Sequence, residues 1–208
     1  MRIESLSNIP DRAGRYRAVM EDGTVLRLYR QTVEDFGLYT GLELTQAQFE
    51  KLQGAAGEMS AKMRAVRIVA ASGVSKKDLE QRLIHKGETP ENAQNAVAWM
   101  EGLSLIDDAK TARHIVSQCI AKGYGLARAK QALYEKRIPK SLWDDALADY
   151  PDQHEKIVSF LQSRLDSQSD AKEVKRSIDA LLRRGHSYAQ IRRGLDEITV
   201  DYGEFPED

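Results

Sequence analysis

The order of apolar and polar positions changes character once along this chain. Over roughly the first thirty residues it reads as strands, and from about residue 45 onward apolar residues recur at helical spacing. The segments from Arg15 to Glu21 and from Thr24 to Arg30 flank Asp22-Gly23, a pair suited to a two-residue hairpin turn. Such a turn sets Val19 opposite Leu26 and Arg17 opposite Leu28 on one face, with Tyr16 against Tyr29 on the other. A hairpin that small needs a further strand, for which Arg2 to Leu6 is suited, or a packed helix. Thr45 then predicts a helix start, its side chain accepting from the freed amide of Gln48.

The helical part repeats itself about every fifty residues. With Lys86-Gly87, Lys136-Arg137 and Arg184-Gly185 aligned, Leu83, Leu133 and Leu181 fall in register. So do Ala93, Trp143 and Ile191, and four residues later Val97, Leu147 and Leu195. A leucine one turn before a helix end and two apolar residues four apart on the next helix describe a unit of three helices. Gly73 and Gly123 mark the first interhelical turn in two units, whereas the third has the polar loop Asp166 to Asp170, whose last residue can cap a helix. Pro90 and Pro139 are expected at the start of the third helix in two units, with Ser187 serving the third.

The expected organisation is therefore mainly α: an elongated, curved array of three tandem three-helix repeats behind a small N-terminal β-hairpin region. Its divisions are a hairpin region with a connecting helix at 1–57, repeats at 58–106, 107–150 and 151–200, and an acidic tail at 201–208.

Composition narrows the function. Of 208 residues, 41% are hydrophobic and 30% charged, enough for real cores beneath wide solvated faces. Apolar runs such as Ile68 to Ala71 fall far short of the roughly 20 residues a bilayer requires. The first ten residues lack the basic start and apolar stretch of a signal peptide, and a lone Cys119 forms no internal disulfide. A cytoplasmic location is expected. Neither the scattered His85, His114, His154 and His186 nor Cys119 shows metal-ligand spacing. Asp107 and Asp108, adjacent on a helix, point about 100° apart and read as capping residues. Trp143 and Trp99 fall on packing stripes, and no phosphate-binding glycine loop or nucleophile elbow occurs. No cofactor, no metal and no enzymatic activity are expected.

The net charge of −1 is unevenly spread. Between Lys122 and Lys140 there are six Lys or Arg and one acid, and between Lys172 and Arg193 seven and two. Lys86, Lys136 and Arg184 share one position in the repeat, with Arg137 and Arg183 beside them, so stacked repeats would line them along an edge. Arg192 and Arg193 extend that patch, joined by Arg128, Lys130, Lys175 and Arg176. These residues are the candidate binding site, for DNA phosphates or an acidic protein surface.

Several of these segments together resemble a known family. Leu105-Ile106-Asp107-Asp108, Ala112, then Lys122-Gly123 with Gly125, then Ala129, Leu133 and Lys136 are similar in order and spacing to the RecX regulatory proteins. Arg183-Arg184-Gly185-His186-Ser187 with Ile191, and Thr40-Gly41 with Leu44-Thr45 behind the hairpin, extend the resemblance to about Ile198. Arg137 departs from it, standing where glycine is usual, and so does the loop Glu88-Thr89-Pro90. The resemblance implies a non-catalytic modulator that lies in the groove of the RecA–DNA filament and usually suppresses ATP hydrolysis and strand exchange; from the residues, which show no heptad, exposed apolar helix or membrane-length apolar run, a monomer away from membranes is expected. Its partners would be the RecA filament and single- or double-stranded DNA.

Two other readings compete with this one. A helix-turn-helix-like DNA-binding protein acting independently of RecA needs a recognition helix with basic and polar faces, which only Gln190, Arg192 and Arg193 supply. A bare helical scaffold for another protein needs nothing beyond the repeats.

Overall fold

A computed structural model describes residues 1 to 198, so the expected acidic tail and the last two residues of the expected third repeat lie outside the described residues. The chain is mainly α, with one small antiparallel sheet at its start, and divides into two compact units that meet in sequence at Asp107 and Asp108.

In the first unit, β1 (Ile3–Leu6), β2 (Arg15–Met20) and β3 (Val25–Tyr29) form a sheet in the order β1-β2-β3. The register of the hairpin differs by one residue from the sequence expectation. Tyr16 stands opposite Leu28, Arg17 opposite Arg27 and Ala18 opposite Leu26. The turn is responsible, because the loop has three residues, not two. Gly23, at φ +84°, donates to the Met20 carbonyl at 2.9 Å, and Met20 donates to Thr24 at 2.8 Å. That is a turn closed by a left-handed glycine, and the Asp22 carboxylate reinforces it by accepting from the Thr24 amide at 2.9 Å. The corrected register buries Ala18, Met20 and Leu28 and leaves both Arg17 and Arg27 exposed, where the two-residue turn would have paired Arg17 with core-facing Leu28.

After α1 (Arg30–Asp35), α2 runs unbroken from Gln46 to Ala71. Its start is the cap expected at Thr45, and Gln48 answers in return to complete a capping box. The expected division between residues 57 and 58 falls inside this helix, since Gly54-Ala-Ala-Gly57 does not interrupt it. One helix serves two cores. Phe49 and Leu52 pack beneath the sheet with Ile3, Met20 and Leu28, while Ala61 and Ala65 pack with residues of α3 (Lys76–His85) and α4 (Pro90–Gly102). The latter core contains Leu79, Leu83, Ala93, Ala96 and Met100, all at most 1% exposed. Pro90 opens α4 behind the cap Thr89, as expected.

The second unit contains α5 (Asp108–Ala121), α6 (Leu126–Glu135), a 3₁₀ turn (Lys140–Leu142), α7 (Trp143–Leu147), α8 (His154–Gln162), α9 (Ala171–Arg183) and α10 (Tyr188–Leu195). Pro139 does not open an α-helix. It precedes the 3₁₀ turn, whose Leu142 amide donates to the Pro139 carbonyl at 3.0 Å, and α7 is correspondingly short. Asp170 and Ser187 cap α9 and α10, each in a capping box with the residue three further on. Two apolar clusters fill this unit: Ala112, Val116, Ala129 and Leu133 in one, and Ile157, Leu161, Leu181, Ile191 and Leu195 in the other. Trp143 flanks the first cluster half-buried, its indole N–H donating to the Ile138 carbonyl at 3.1 Å.

Candidate functional site

The basic residues at the shared repeat position occupy one structural role. Lys86, Lys136 and Arg184 are the caps that follow the last residues of α3, α6 and α9. The next residue in each case has left-handed backbone: Gly87 at φ +90°, Arg137 at +54° and Gly185 at +86°. The residue after that donates its amide back to the aligned leucine: Glu88 to Leu83 at 3.1 Å, Ile138 to Leu133 at 3.0 Å, and His186 to Leu181 at 3.2 Å. Three copies of the same helix-terminating motif thus fix the leucine inside and the cation at the rim. A cation there also faces the partial negative charge of the helix end, which favours it locally by a few tenths of a kcal/mol to about 1 kcal/mol.

The remaining candidates divide by what holds them. Arg128 pairs with Glu135 at 2.9 Å, and that hydrogen bond, aided by one from Gln131, draws the Glu135 carboxyl below its ordinary range. Arg193 reaches Asp152 at 3.0 Å and His154 Nδ1 at 3.2 Å. The Arg184 guanidinium lies 4.2 Å from the centre of the Phe160 ring, with Arg164 also over that ring at 4.5 Å. Lys86, Lys130, Arg137, Lys175, Arg176, Arg183 and Arg192 are exposed, and Lys136 is half-buried. Within the second unit the Gly125 amide donates to the Arg184 carbonyl at 2.9 Å. Arg184 is therefore anchored at the start of α6 and Lys136 stands at its end, about 16 Å away at 1.5 Å per residue.

The junction that sets this spacing is backbone against backbone. A Cβ added to Gly125 would lie 2.0 Å from the Gly185 carbonyl oxygen, and one added to Gly185 would lie 2.3 Å from the Arg128 amide nitrogen. This explains why α6 begins at a bare glycine where α3 and α9 begin at Ser75 and Asp170. His186 completes the joint. It is buried, Nε2–H donates to the Gly123 carbonyl at 3.1 Å, and Nδ1 has no hydrogen-bond partner among the described residues. Burial pushes its pKa below the ordinary histidine value, the Gly123 hydrogen bond works against that shift, and the charge of Arg184 adds to it.

A second basic grouping, in the first unit, escaped the sequence reading. Arg64, Arg67, Ile68 and Ala71 of α2, with Ser72, Arg82 and Lys86, line an open cavity of about 410 Å³. Of these only Lys86 belongs to the repeated position. Arg64, Arg67, Ile68 and Ala71 were readable as the i, i+3, i+4, i+7 face of one helix, but Arg82 comes from the next helix, and a register argument does not find residues that occur in a single repeat.

Cys119 is buried in the α5–α6 core, and burial raises its pKa, so it is unsuited to act as a thiolate. Among the described residues no group of three or more His, Cys, Asp or Glu is placed to hold a metal ion. No helix among them is long and apolar enough to cross a membrane.

Comparison with known proteins gives a consistent picture. The family model described as "RecX, second three-helix domain" matches residues 107–147, which hold α5, α6 and α7. A regulatory protein RecX of Vibrio campbellii is 27% identical over 150 residues, covering 71% of this chain and 96% of that protein. One from Cronobacter sakazakii is 32% identical over 96 residues, covering 41% of this chain and 58% of that protein. A crystal structure of a regulatory protein RecX shares the fold with a TM-score of 0.65 at 22% identity, covering 94% of this chain and 99% of that one. The crystal structure of RecX from Lactobacillus salivarius gives 0.60 at 22% identity, covering 69% and 97%.

Proposed function

The chain belongs to the RecX family of regulatory proteins, and from that premise we propose that it binds the RecA–DNA filament and inhibits its ATP hydrolysis and strand exchange. It acts from the cytoplasm, as a monomer and without catalysis, and its contacts to DNA are to the backbone.

The observation that carries this reading is the threefold recurrence of a cation on the same helix-terminating motif. A filament offers one acidic lattice repeated along its axis. Cations presented repeatedly on one motif suit such a lattice, because many modest contacts sum while none reads sequence. A body that bridges neighbouring subunits binds one conformation of the filament better than the others, and so opposes the cycle that ATP hydrolysis drives.

The test is direct. Added to RecA on single-stranded DNA, the protein should slow ATP turnover and sediment with the filament. Unchanged turnover at saturating protein, with no co-sedimentation, removes the proposal. Lys136→Glu combined with Arg184→Glu should leave helix content intact and weaken filament association at least tenfold. Wild-type association by that double variant would make the cap cations ordinary solvated surface.

The helix-turn-helix-like alternative finds less support. Its recognition helix would be α10, where Arg193, though exposed, is engaged by Asp152 and His154, which leaves Arg192 and half-buried Gln190 to read bases. A footprint on one DNA sequence in the absence of RecA would restore it.

A further inference from the structure

We propose that the cavity between the end of α2 and the end of α3 seats one nucleotide unit of single-stranded nucleic acid, its phosphodiester among Arg64, Arg67, Arg82 and Lys86. The inference rests on the preceding reading only in taking nucleic acid as the ligand, and names a site that shares Lys86 alone with the repeated cap positions.

The arginines are held in place before any ligand arrives. Arg64 donates through Nε to Glu88 at 2.7 Å and through Nη1 to the Lys86 carbonyl. Arg82 pairs with Asp78 at 2.9 Å. Both acids sit behind their partners: the Glu88 and Asp78 side chains are 7% and 12% exposed, against 33% for Arg64 and 40% for Arg82. Arg67 is fixed by neutral acceptors instead, the Tyr29 hydroxyl at 2.9 Å and the Ala13 carbonyl at 3.1 Å. Each guanidinium has five N–H donors, so these bonds leave several on every arginine for an incoming oxygen.

Charge and shape then select the ligand. Four cations face two carboxylates, and the ends of α2 and α3 add about half a negative charge each, leaving about one positive charge. That matches the single charge of a phosphodiester better than a free phosphate dianion. The Ser72 hydroxyl supplies a further donor at the rim. The cavity, about 410 Å³, is much larger than a phosphate, and Ile68 and Ala71 give it an apolar side against which an unpaired sugar and base can lie. A duplex keeps its bases stacked inside and can offer this wall nothing comparable.

The test uses the full chain, a labelled oligodeoxythymidine and fluorescence anisotropy over a range of salt. Ser72→Glu places a carboxylate in the cavity from an exposed position. It should lower affinity about tenfold and flatten the slope of log K against log salt by about 0.7, the loss of one single-strand phosphate contact. Arg82→Gln should act in the same direction, and if it compromises folding the Ser72 variant still decides. A methylphosphonate oligomer of the same sequence, lacking backbone charge, should bind wild type and Ser72→Glu alike. Wild-type affinity and slope in both variants would overturn the site. A duplex of equal length that binds as tightly and is weakened as much by Ser72→Glu would overturn the single-strand assignment. Loss of oligonucleotide binding in these variants, in a protein that never alters RecA turnover, would leave the site standing and remove the filament reading. Silent pocket variants beside an impaired Lys136→Glu, Arg184→Glu variant would do the reverse.

Discussion

The turns that end α6 and α9 have the same hydrogen bonds, the same leucine behind them and a cation at the same cap, yet one continues with Arg137 and the other with Gly185. Both residues have positive φ, +54° and +86°. What differs is the surroundings. Gly185 is pressed against the backbone of Arg128, whereas Arg137 is exposed at the rim. The equivalent Gly87 lies between these cases, with positive φ but no atom within 4 Å of an added Cβ. Local hydrogen bonding therefore sets the turn three times. Only a second chain segment makes the glycine indispensable, by adding a steric requirement to a conformational one.

Substitutions can separate these two terms. Gly185→Ala carries both, and should destabilise the second unit by about 3 kcal/mol, combining the left-handed backbone with overlap at Arg128. Trp143, the only tryptophan in that unit, reports it by fluorescence in urea, in a Trp99→Phe background. A loss no larger than that of the next variant would show that the joint yields easily. Gly87→Ala carries the conformational term alone and should cost about 1 kcal/mol, read from Trp99 in a Trp143→Phe background.

Arg137→Gly runs the comparison backwards. It should stabilise the second unit by up to about 1 kcal/mol by relieving φ +54°, and a loss would mean that the arginine side chain outweighs its backbone strain. The smallest effect concerns His186 beside Gly185. Its folded pKa lies below the ordinary 6.5, so the unfolded chain takes up the proton first, and this contribution to stability is intact above pH 6.5 and lost as pH falls below it. His186→Gln, whose amide can still donate to the Gly123 carbonyl, should flatten the fall in urea midpoint between pH 6.5 and 5. An equally steep fall in the variant would place the titration elsewhere.

The caps at Thr45, Asp170 and Ser187 were legible because a side chain three residues from the amide it satisfies is a local fact. So were Leu83, Leu133 and Leu181, whose register reflects a motif closed within six residues. The hairpin slipped by one because a turn of two residues and a turn of three share the signature Asp22-Gly23. The cavity lined by Arg64, Arg67 and Arg82 went unseen because its residues come from two helices and recur in no other repeat.

By itself the sequence determined the class of the fold, the helix starts at Thr45, Pro90, Asp170 and Ser187, the helix-ending motif and the cations it carries, since each depends on hydrogen bonds and side-chain spacing within a few residues. Tertiary structure alone decided which of those cations are engaged, as Arg128 is by Glu135 and Arg193 by Asp152. It also decided that Gly125 and Gly185 touch, and that three arginines of the first unit surround one cavity. Those outcomes depend on distances between segments far apart in the chain, and packing sets such distances.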